Sequence, residues 1–195
     1  MLYNKNNLNV AKIAAKDGYK DELKAVMFTR KKTVATDGFR LLEVSVDTGA
    51  NAAEFPKVDG KAAMLGFSTF LASAKDTQRV KIPKNKTGLP ILDYAAIKHV
   101  DDTHVEFLTT DVQTVSVMSA ARMSGTFPEY EKIFPQGEPV AEVIINAELL
   151  AELLEVMGQL KQTVKIKFYG KEKPLMLECG TASQRARGLI MPVKV

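Results

Sequence analysis

The stretch Val34-Ala35-Thr36-Asp37-Gly38-Phe39-Arg40-Leu41 predicts a tight β-hairpin. Gly38 tolerates a positive φ angle because it has no Cβ, and the Asp37 carboxylate is able to accept hydrogen bonds from the turn backbone. Residues that favour strands lie on both sides of this pair. By itself such a turn suits many β-rich proteins, so the rest of the chain has to decide the fold.

The size and composition are those of an ordinary globular protein with a real core. The chain has 195 residues, of which 46% are apolar and 26% are charged, so it holds one large domain or two small ones. It has no window of about 18 consecutive apolar residues, and its first residues lack the apolar core of a secretory signal. We therefore expect no membrane span, and we expect a cytoplasmic location.

Cysteine and histidine are too few for several kinds of site. Cys179 is the single cysteine, which excludes an internal disulfide, and His99 and His104 are the only histidines. We expect no metal site from these side chains, and no other cofactor. The net charge of +4 comes from the first 125 residues, because residues 126–195 carry nine basic and nine acidic side chains. Such an excess weakly permits a polyanionic partner.

A unit of one helix followed by strands recurs about three times, and its third copy is the clearest. Asn146 is a good N-cap, and leucines and a methionine at helical spacing predict a helix over residues 147–160. Strands of this copy are predicted at 140–145, 163–169, 174–178 and 185–195.

The other two copies are less regular. The second predicts a strand at 62–67, Ser68 as the N-cap of a short helix that ends near Lys75, a loop at 83–88, and strands at 91–98, 104–109 and 114–119. The first is abbreviated, with a short helix near 9–15, strands at 23–29, 32–35 and 40–46, and little room for a leading strand.

Repeated helix-and-strand units predict an α+β architecture in which helices lie on one face of antiparallel sheets. We divide the chain into a two-unit domain over residues 1–125, a linker over 126–139, and a single unit over 140–195. Prolines and glycines within residues 124–135 make this linker the best boundary in the chain.

Three motifs resemble segments of bacterial DNA polymerase sliding clamps, the β-clamp family. Residues 35–41 are similar to the ATDGxRL segment of these clamps, residues 127–135 (Phe127-Pro128-Glu129-Tyr130-Glu131-Lys132-Ile133-Phe134-Pro135) to the FPDYxxvlP connector, and residues 189–195 to the vvMPMRL tail. The motifs occur in the family's order. The resemblance covers nearly the whole chain and implies a shortened form, with most of the middle clamp domain followed by the second half of the last one.

The resemblance implies a hydrophobic pocket for short extended peptides with Leu and Phe anchors. Its lining would be Leu23, Thr36, Gly38, Phe39, Arg40 and Leu41 from the first unit, Pro128, Lys132 and Ile133 from the linker, and Leu189, Ile190, Met191, Pro192 and Val193 from the tail. Apolar walls favour burial by about 25 cal/mol per Å², and the flexible Met191 side chain adapts to different anchors. Two departures bear on peptide preference, since the family often has His in place of Phe39 and Arg in place of Lys132 and Lys194.

The resemblance also implies contacts with DNA. Clamp helices line the inside of a ring, where basic side chains meet phosphates without reading bases. The candidates are Lys12 and Lys16, four positions apart in the first helix, Lys75 and Arg79 at the same spacing around the end of the second helix, and Lys81, Lys84 and Lys86 after it. Each of them has a plainer interpretation as a solvated surface residue. The third helix departs from the pattern, because Glu148, Glu152 and Glu155 would repel DNA.

Known clamp rings close with about twelve such units, so three units per chain imply a homotetramer. This ring requires an edge strand of the first unit to pair with the third unit of a neighbouring copy. The implied partners are double-stranded DNA without sequence specificity, a DNA polymerase and other proteins that carry clamp-binding peptides. Whether a clamp loader is also a partner stays open, and no membrane is implied.

Two alternative functions belong to other classes. The first, an enzyme, is not expected, because the chain has no Gly-rich phosphate loop, no cluster of His and carboxylates and no nucleophile elbow. The second is an interaction protein that competes for clamp-binding peptides without encircling DNA. The acidic third helix favours it, whereas the basic residues near the first two helices favour a working clamp.

Overall fold

A computed structural model describes residues 1–18, 20–49, 51–55 and 68–193. Its internal contacts divide the chain into two compact units, Met1–Glu131 (unit 1) and Lys132–Val195 (unit 2). In the described residues the strands form three antiparallel sheets. Helices share a core with these sheets, so the predicted α+β class with repeated helix-and-strand units is confirmed.

The first half of unit 1 begins with a strand. Its elements are β1 (Leu2–Asn4), α1 (Lys5–Asn9), 3-10 turns at Val10–Lys12 and Asp21–Lys24, β2 (Ala25–Phe28), β3 (Lys32–Thr36) and β4 (Leu41–Ser45). The prediction of a helix near 9–15 without a leading strand was therefore wrong. The overlooked signal is a capping box, in which the Asn4 side chain accepts from backbone N–H groups at the start of α1 and the Asn7 side chain accepts from the Asn4 N–H. These hydrogen bonds start the helix directly after β1.

The second half of unit 1 repeats this order. Its elements are a 3-10 turn at Ala52–Glu54, β5 (Phe70–Ser73), α2 (Ala74–Thr77), a 3-10 turn at Pro90–Asp93, β6 (Tyr94–Val100), β7 (His104–Thr110) and β8 (Val115–Ala121). Ser68 is not the helix cap, contrary to the prediction. Ser73 caps α2 instead, because residues 70–73 pair with β2 as a strand and the helix begins only after it. The strand predicted at 62–67 lies outside the described residues.

The two halves of unit 1 exchange strands and share one core. The first sheet has the order β4-β3-β2-β5 and the second has the order β1-β6-β7-β8, so β5 and β1 each pair with a strand of the other half. Phe28 of β2 stacks on Phe70 of β5 at a centroid distance of 5.1 Å, and it meets Phe107 of β7 at 5.5 Å. The two repeats therefore fold around a common set of buried aromatic and aliphatic side chains.

Unit 2 contains one helix and a three-stranded sheet. Its elements are α3 (Ala147–Leu160), β9 (Lys165–Lys167), β10 (Leu175–Gly180) and β11 (Arg185–Ile190), with the sheet order β11-β10-β9. The helix has the predicted bounds, and the Asn146 side chain accepts from the N–H groups of Glu148 and Leu149. Gly188 allows the helix to approach the sheet, because a Cβ at this position would lie 2.9 Å from Leu153 Cδ1.

Residues 140–145 are not a strand, contrary to the prediction. Val143 and Ile145 pack against the core of unit 2, and the Ile144 carbonyl accepts one hydrogen bond from the N–H of Val193. The apolar residues that suggested a strand therefore serve core packing in a segment that does not join the sheet ladder.

Candidate functional site

The predicted hairpin joins β3 to β4, and its tip is held by a compact set of hydrogen bonds. The Thr36 hydroxyl donates to the Arg40 carbonyl (2.7 Å) and accepts from the Gly38 N–H (3.1 Å). The Asp37 carboxylate accepts from the N–H groups of Phe39 (2.9 Å) and Arg40 (3.0 Å) and from Arg40 Nε (2.9 Å). These bonds, first that from the Phe39 N–H, hold the pKa of Asp37 below its ordinary value. Gly38 has a φ of +90°, which glycine tolerates best.

The hairpin between β7 and β8 has the same turn chemistry. The Thr110 hydroxyl donates to the Thr114 carbonyl (2.8 Å) and accepts from the Val112 N–H (3.1 Å), while Asp111 accepts from two backbone N–H groups of the turn. The positive φ also recurs, at +83° for Val112. The Thr-Asp pair is therefore a structural element of the repeat, and the first hairpin differs in the side chain that it displays, since Phe39 is 99% exposed.

An apolar wall behind the tip joins the hairpin to residues of the predicted linker. Leu41 packs against a buried cluster that includes Phe127 and Tyr130, whose rings meet edge to face at a centroid distance of 5.9 Å. The Tyr130 N–H donates to the Pro128 carbonyl (2.8 Å). The first residues of the predicted linker thus belong to the core of unit 1.

The structure brings the predicted residues of unit 1 to one end of the β3–β4 hairpin. Leu23 is half-buried, and its Cδ1 would lie 4.0 Å from a Cβ at Gly38. Thr36 is buried, whereas Phe39 and Arg40 are exposed. The tip therefore displays one apolar side chain, Phe39, and a half-buried one, Leu23, lies near Gly38. Peptide binding at this surface stays a prediction.

Lys32 of β3, which the sequence analysis did not single out, connects this hairpin to the linker residues. Its Nζ forms ion pairs with Glu43 (2.9 Å) and Glu131 (2.7 Å) and lies 5.1 Å from the centre of the Tyr130 ring. The Tyr130 hydroxyl donates to Glu43 Oε2 (2.7 Å). Hydrogen bonds, first that with Glu131, raise the pKa of Lys32, and the one from Lys32 lowers the pKa of Glu43. We call these four residues the Lys32 cluster, and no local sequence signal could have revealed it, because Lys32 and Glu131 are 99 positions apart.

The predicted tail residues lie at the end of β11 in unit 2. Ile190 is buried in the core, whereas Leu189 and Met191 are each 65% exposed. Leu189 lies on the sheet face opposite to α3, directly across from Met176 of β10. Met176 is a candidate that the sequence analysis missed, and its place within the strand predicted at 174–178 was the available signal.

The remaining predicted pocket residues flank the ordered elements. Lys132 and Ile133 are exposed in a 3-10 turn, Tyr130–Ile133, and Pro192 is half-buried. Val193 is 47% exposed. Lys194, where the family often has Arg, lies outside the described residues. A pocket that combines residues of both units stays a prediction.

Three of the predicted DNA contacts lie around one cavity of unit 1. Lys12, Lys16 and Lys75 are exposed and line a cavity of about 780 Å³, together with Lys24, which was not predicted. Lys12 and Lys16 do not share a helix, contrary to the expectation, because Lys12 ends a 3-10 turn and Lys16 lies beyond it. The cavity still gathers four cations on the helical side of unit 1.

The other predicted DNA contacts are more dispersed. Arg79 follows α2 and pairs with Asp76 at 3.7 Å. Lys81 lines a second cavity, of about 380 Å³, and Lys84 and Lys86 are exposed on the predicted loop at 83–88.

Metal-binding clusters and membrane-spanning helices are both absent from the part of the chain that the structure describes. There, no three His, Cys, Asp or Glu side chains group closely enough to hold a metal ion. Among the same residues, no helix has the length and apolar character needed to cross a membrane.

Solved structures similar to this chain are bacterial DNA polymerase III beta subunits. The beta chain from Streptococcus pneumoniae has a TM-score of 0.68 and 14% identity, with 100% of this chain and 49% of that chain covered. The subunit from Pseudomonas aeruginosa has a TM-score of 0.63 and 15% identity, with 98% and 50% covered. The Helicobacter pylori beta clamp, solved with a bound DNA ligase peptide, has a TM-score of 0.63 and 14% identity, with 95% and 46% covered.

No protein-family model matches the chain, and no curated protein sequence matches it. The chain spans about half the length of the solved subunits. Within that span it has the sliding-clamp fold of bacterial DNA polymerase III beta subunits.

Proposed function

We propose that this chain is a DNA sliding clamp that encircles duplex DNA as a homo-oligomeric ring and tethers a DNA polymerase and other replication proteins. The observation that carries the proposal is the display of apolar side chains at the hairpin tip and at the end of β11, in a chain with the clamp fold. Phe39 is 99% exposed, and Leu189 and Met191 are each 65% exposed. The Helicobacter pylori clamp of the same fold was solved with a peptide bound, which supports a peptide as the ligand.

The peptide surface is tested by truncating one side chain in each unit. Leu41→Ala with Met191→Ala removes apolar contact area, and we expect the affinity for a fluorescent peptide with Leu and Phe anchors to fall at least tenfold. The control is Leu42→Ala with Leu89→Ala, which truncates two exposed leucines outside the proposed surface. Fluorescence anisotropy measures both, and equal affinities of the two variants would refute the site.

DNA encirclement rests on the cations of unit 1. Lys12, Lys16, Lys75 and Lys24 surround one cavity, and basic side chains of this kind attract phosphates without reading sequence. A ring is retained on nicked circular DNA and released when the DNA is linearised. Retention that survives linearisation would contradict a topological link.

The ring requires several copies. Clamp rings close with about twelve units, which four copies would supply. Among the end strands of the sheets, β4 in unit 1 and β9 and β11 in unit 2 could pair between copies. Light scattering at micromolar concentration is expected to show a tetramer. A stable monomer would overturn the ring.

The runner-up function is an interaction protein that binds clamp peptides without encircling DNA. It is favoured by α3, on which Glu148, Glu152 and Glu155 are exposed and would repel phosphates. Peptide binding combined with no retention on circular DNA would select this function.

A further inference from the structure

β11 carries two kinds of side chain on one face. Because alternate residues of a strand point to the same side, Arg185, Arg187 and Leu189 share a face, while Ala186, Gly188 and Ile190 share the other. The second face packs on α3. Gly188 lies against Leu153 of the helix, and Ile190 is buried. Two cationic side chains and one apolar side chain therefore lie in line along the face opposite to the helix.

The neighbouring strands extend this arrangement. The register places Glu178 of β10 between Lys165 of β9 and Arg187 of β11. One step along the sheet, it places Met176 between Lys167 and Leu189. The face thus changes from charged at the start of β11 to apolar at its end.

The single carboxylate of this face is already engaged. Lys167 Nζ lies 2.7 Å from Glu178 Oε2, and this hydrogen bond raises the pKa of Lys167 and lowers that of Glu178. In the described part of the chain no ion pair involves Lys165, Arg185 or Arg187, which are exposed. We call these three residues the basic ladder.

The basic ladder lines a cavity of about 910 Å³, to which Lys161 adds a fourth cation. The zero net charge of residues 126–195 therefore hides a local cluster of cations. Four of the nine basic residues line this cavity together with Glu178, whereas three of the nine acidic residues lie on α3. Such a focused positive surface attracts an anionic partner.

We propose that the basic ladder binds acidic residues that flank the apolar anchors of a partner peptide, with those anchors seated at Leu189 and Met176. This inference rests on the proposed function and adds the charge of the partner to it. Arg185 and Arg187 are about 6.8 Å apart along the strand, a spacing that matches alternate side chains of an extended peptide. Arg also forms paired hydrogen bonds with carboxylates. The preferred partner therefore carries acidic residues at alternate positions beside its Leu and Phe anchors.

Two peptides with the same Leu and Phe anchors test the proposal, one flanked by three Glu at alternate positions and the other by three Gln. The intact chain is expected to bind the Glu peptide roughly tenfold more tightly at low salt, and the preference is expected to fade as salt rises. Arg185→Gln with Arg187→Gln is expected to abolish the preference while leaving the Gln peptide bound. Arg185→Lys with Arg187→Lys keeps the charge and is expected to retain part of the preference for the Glu peptide.

The matched control is Lys171→Gln with Lys173→Gln, which removes the same charge from an exposed turn of unit 2 and is expected to keep the preference. Equal binding of the two peptides by the intact chain, or a preference that survives the Arg→Gln changes, overturns this inference alone. Failure of both peptides to bind overturns the proposed function and this inference with it. A single-stranded oligonucleotide provides the remaining arm: if the Arg→Gln changes weaken its binding and leave the peptide preference intact, the ladder serves nucleic acid and the proposal is overturned.

Discussion

Replacing Lys32 by Met is expected to weaken the contact between the β3–β4 hairpin and the start of the linker, and so to destabilise unit 1. Met keeps most of the aliphatic stem and removes the charge, so the change isolates the electrostatic part of the Lys32 cluster. The side chains of Lys32 and Glu43 are 24% and 32% exposed, whereas that of Glu131 is 73% exposed, so the pair with Glu43 carries more weight. Ion pairs of this type contribute about 0.2–1 kcal/mol each, and the contact of the ammonium with the Tyr130 ring about 0.5–1 kcal/mol.

The expected loss is about 1.5 kcal/mol. Unit 1 spans Met1–Glu131, and an unfolding entropy of about 2.1 cal/mol/K per residue gives about 0.28 kcal/mol/K for it. The melting temperature should therefore fall by about 5 °C, as measured by circular dichroism or calorimetry. The control is Lys24→Met, which removes an ion pair with Asp21 at 3.1 Å within one 3-10 turn and should lower the melting temperature by about 1 °C. Equal shifts for the two variants would refute the reasoning.

The loss of stability caused by Lys32→Met should depend on pH. The hydrogen bond from Lys32 lowers the pKa of Glu43 from an ordinary value of 4.5. A carboxylate with a lowered folded-state pKa contributes stability that is present above its unfolded-state pKa and is lost as pH falls through the folded-state pKa. The difference in melting temperature between wild type and Lys32→Met should be complete at pH 7 and should narrow below pH 4.5. A difference that stays constant down to acidic pH would assign the loss to packing.

Three further changes test other parts of the fold. Val112→Gly should stabilise unit 1 by about 0.5–1 kcal/mol, because Val112 has a φ of +83° that costs a β-branched residue more than glycine; a lower melting temperature would show that the turn is unstrained. Asn7→Ala should lower the free energy of unfolding, measured with urea, by about 2–3 kcal/mol. The buried Asn7 Nδ2 donates to Thr33 Oγ1 and to the carbonyls of Val44 and Ser45, and all three acceptors would lose this partner. Asn146→Ala should cost unit 2 about 1 kcal/mol by removing the cap of α3; amide exchange of the helix should speed up, and Asn146→Asp should restore protection.

Much of the fold follows from short-range patterns. The hairpin at residues 37–40 and α3 with its Asn146 cap have the predicted form, because each depends on residues a few positions apart. The start of α1 was missed although its signal is also local, since the two asparagines of the capping box were not recognised. The pattern at 140–145 was misleading, because a short apolar run fits an extended packing segment as well as a paired strand.

The sequence by itself determined the repeated unit, the turn chemistry, the one long helix and the three motifs that point to a clamp. Only the tertiary structure decided the exchange of β1 and β5 between the halves of unit 1, the Lys32 cluster and the basic ladder. The physical reason is that both arrangements need contacts which no local pattern encodes. Lys32 meets Glu131, 99 positions along the chain, only after the 3-10 turn Tyr130–Ile133 has packed beside β3, and Lys165 and Arg187 flank Glu178 only in the register that β9, β10 and β11 adopt. A count of charges in residues 126–195 gives zero, whereas the fold places three glutamates on α3 and gathers four basic residues around one cavity at the end of the sheet.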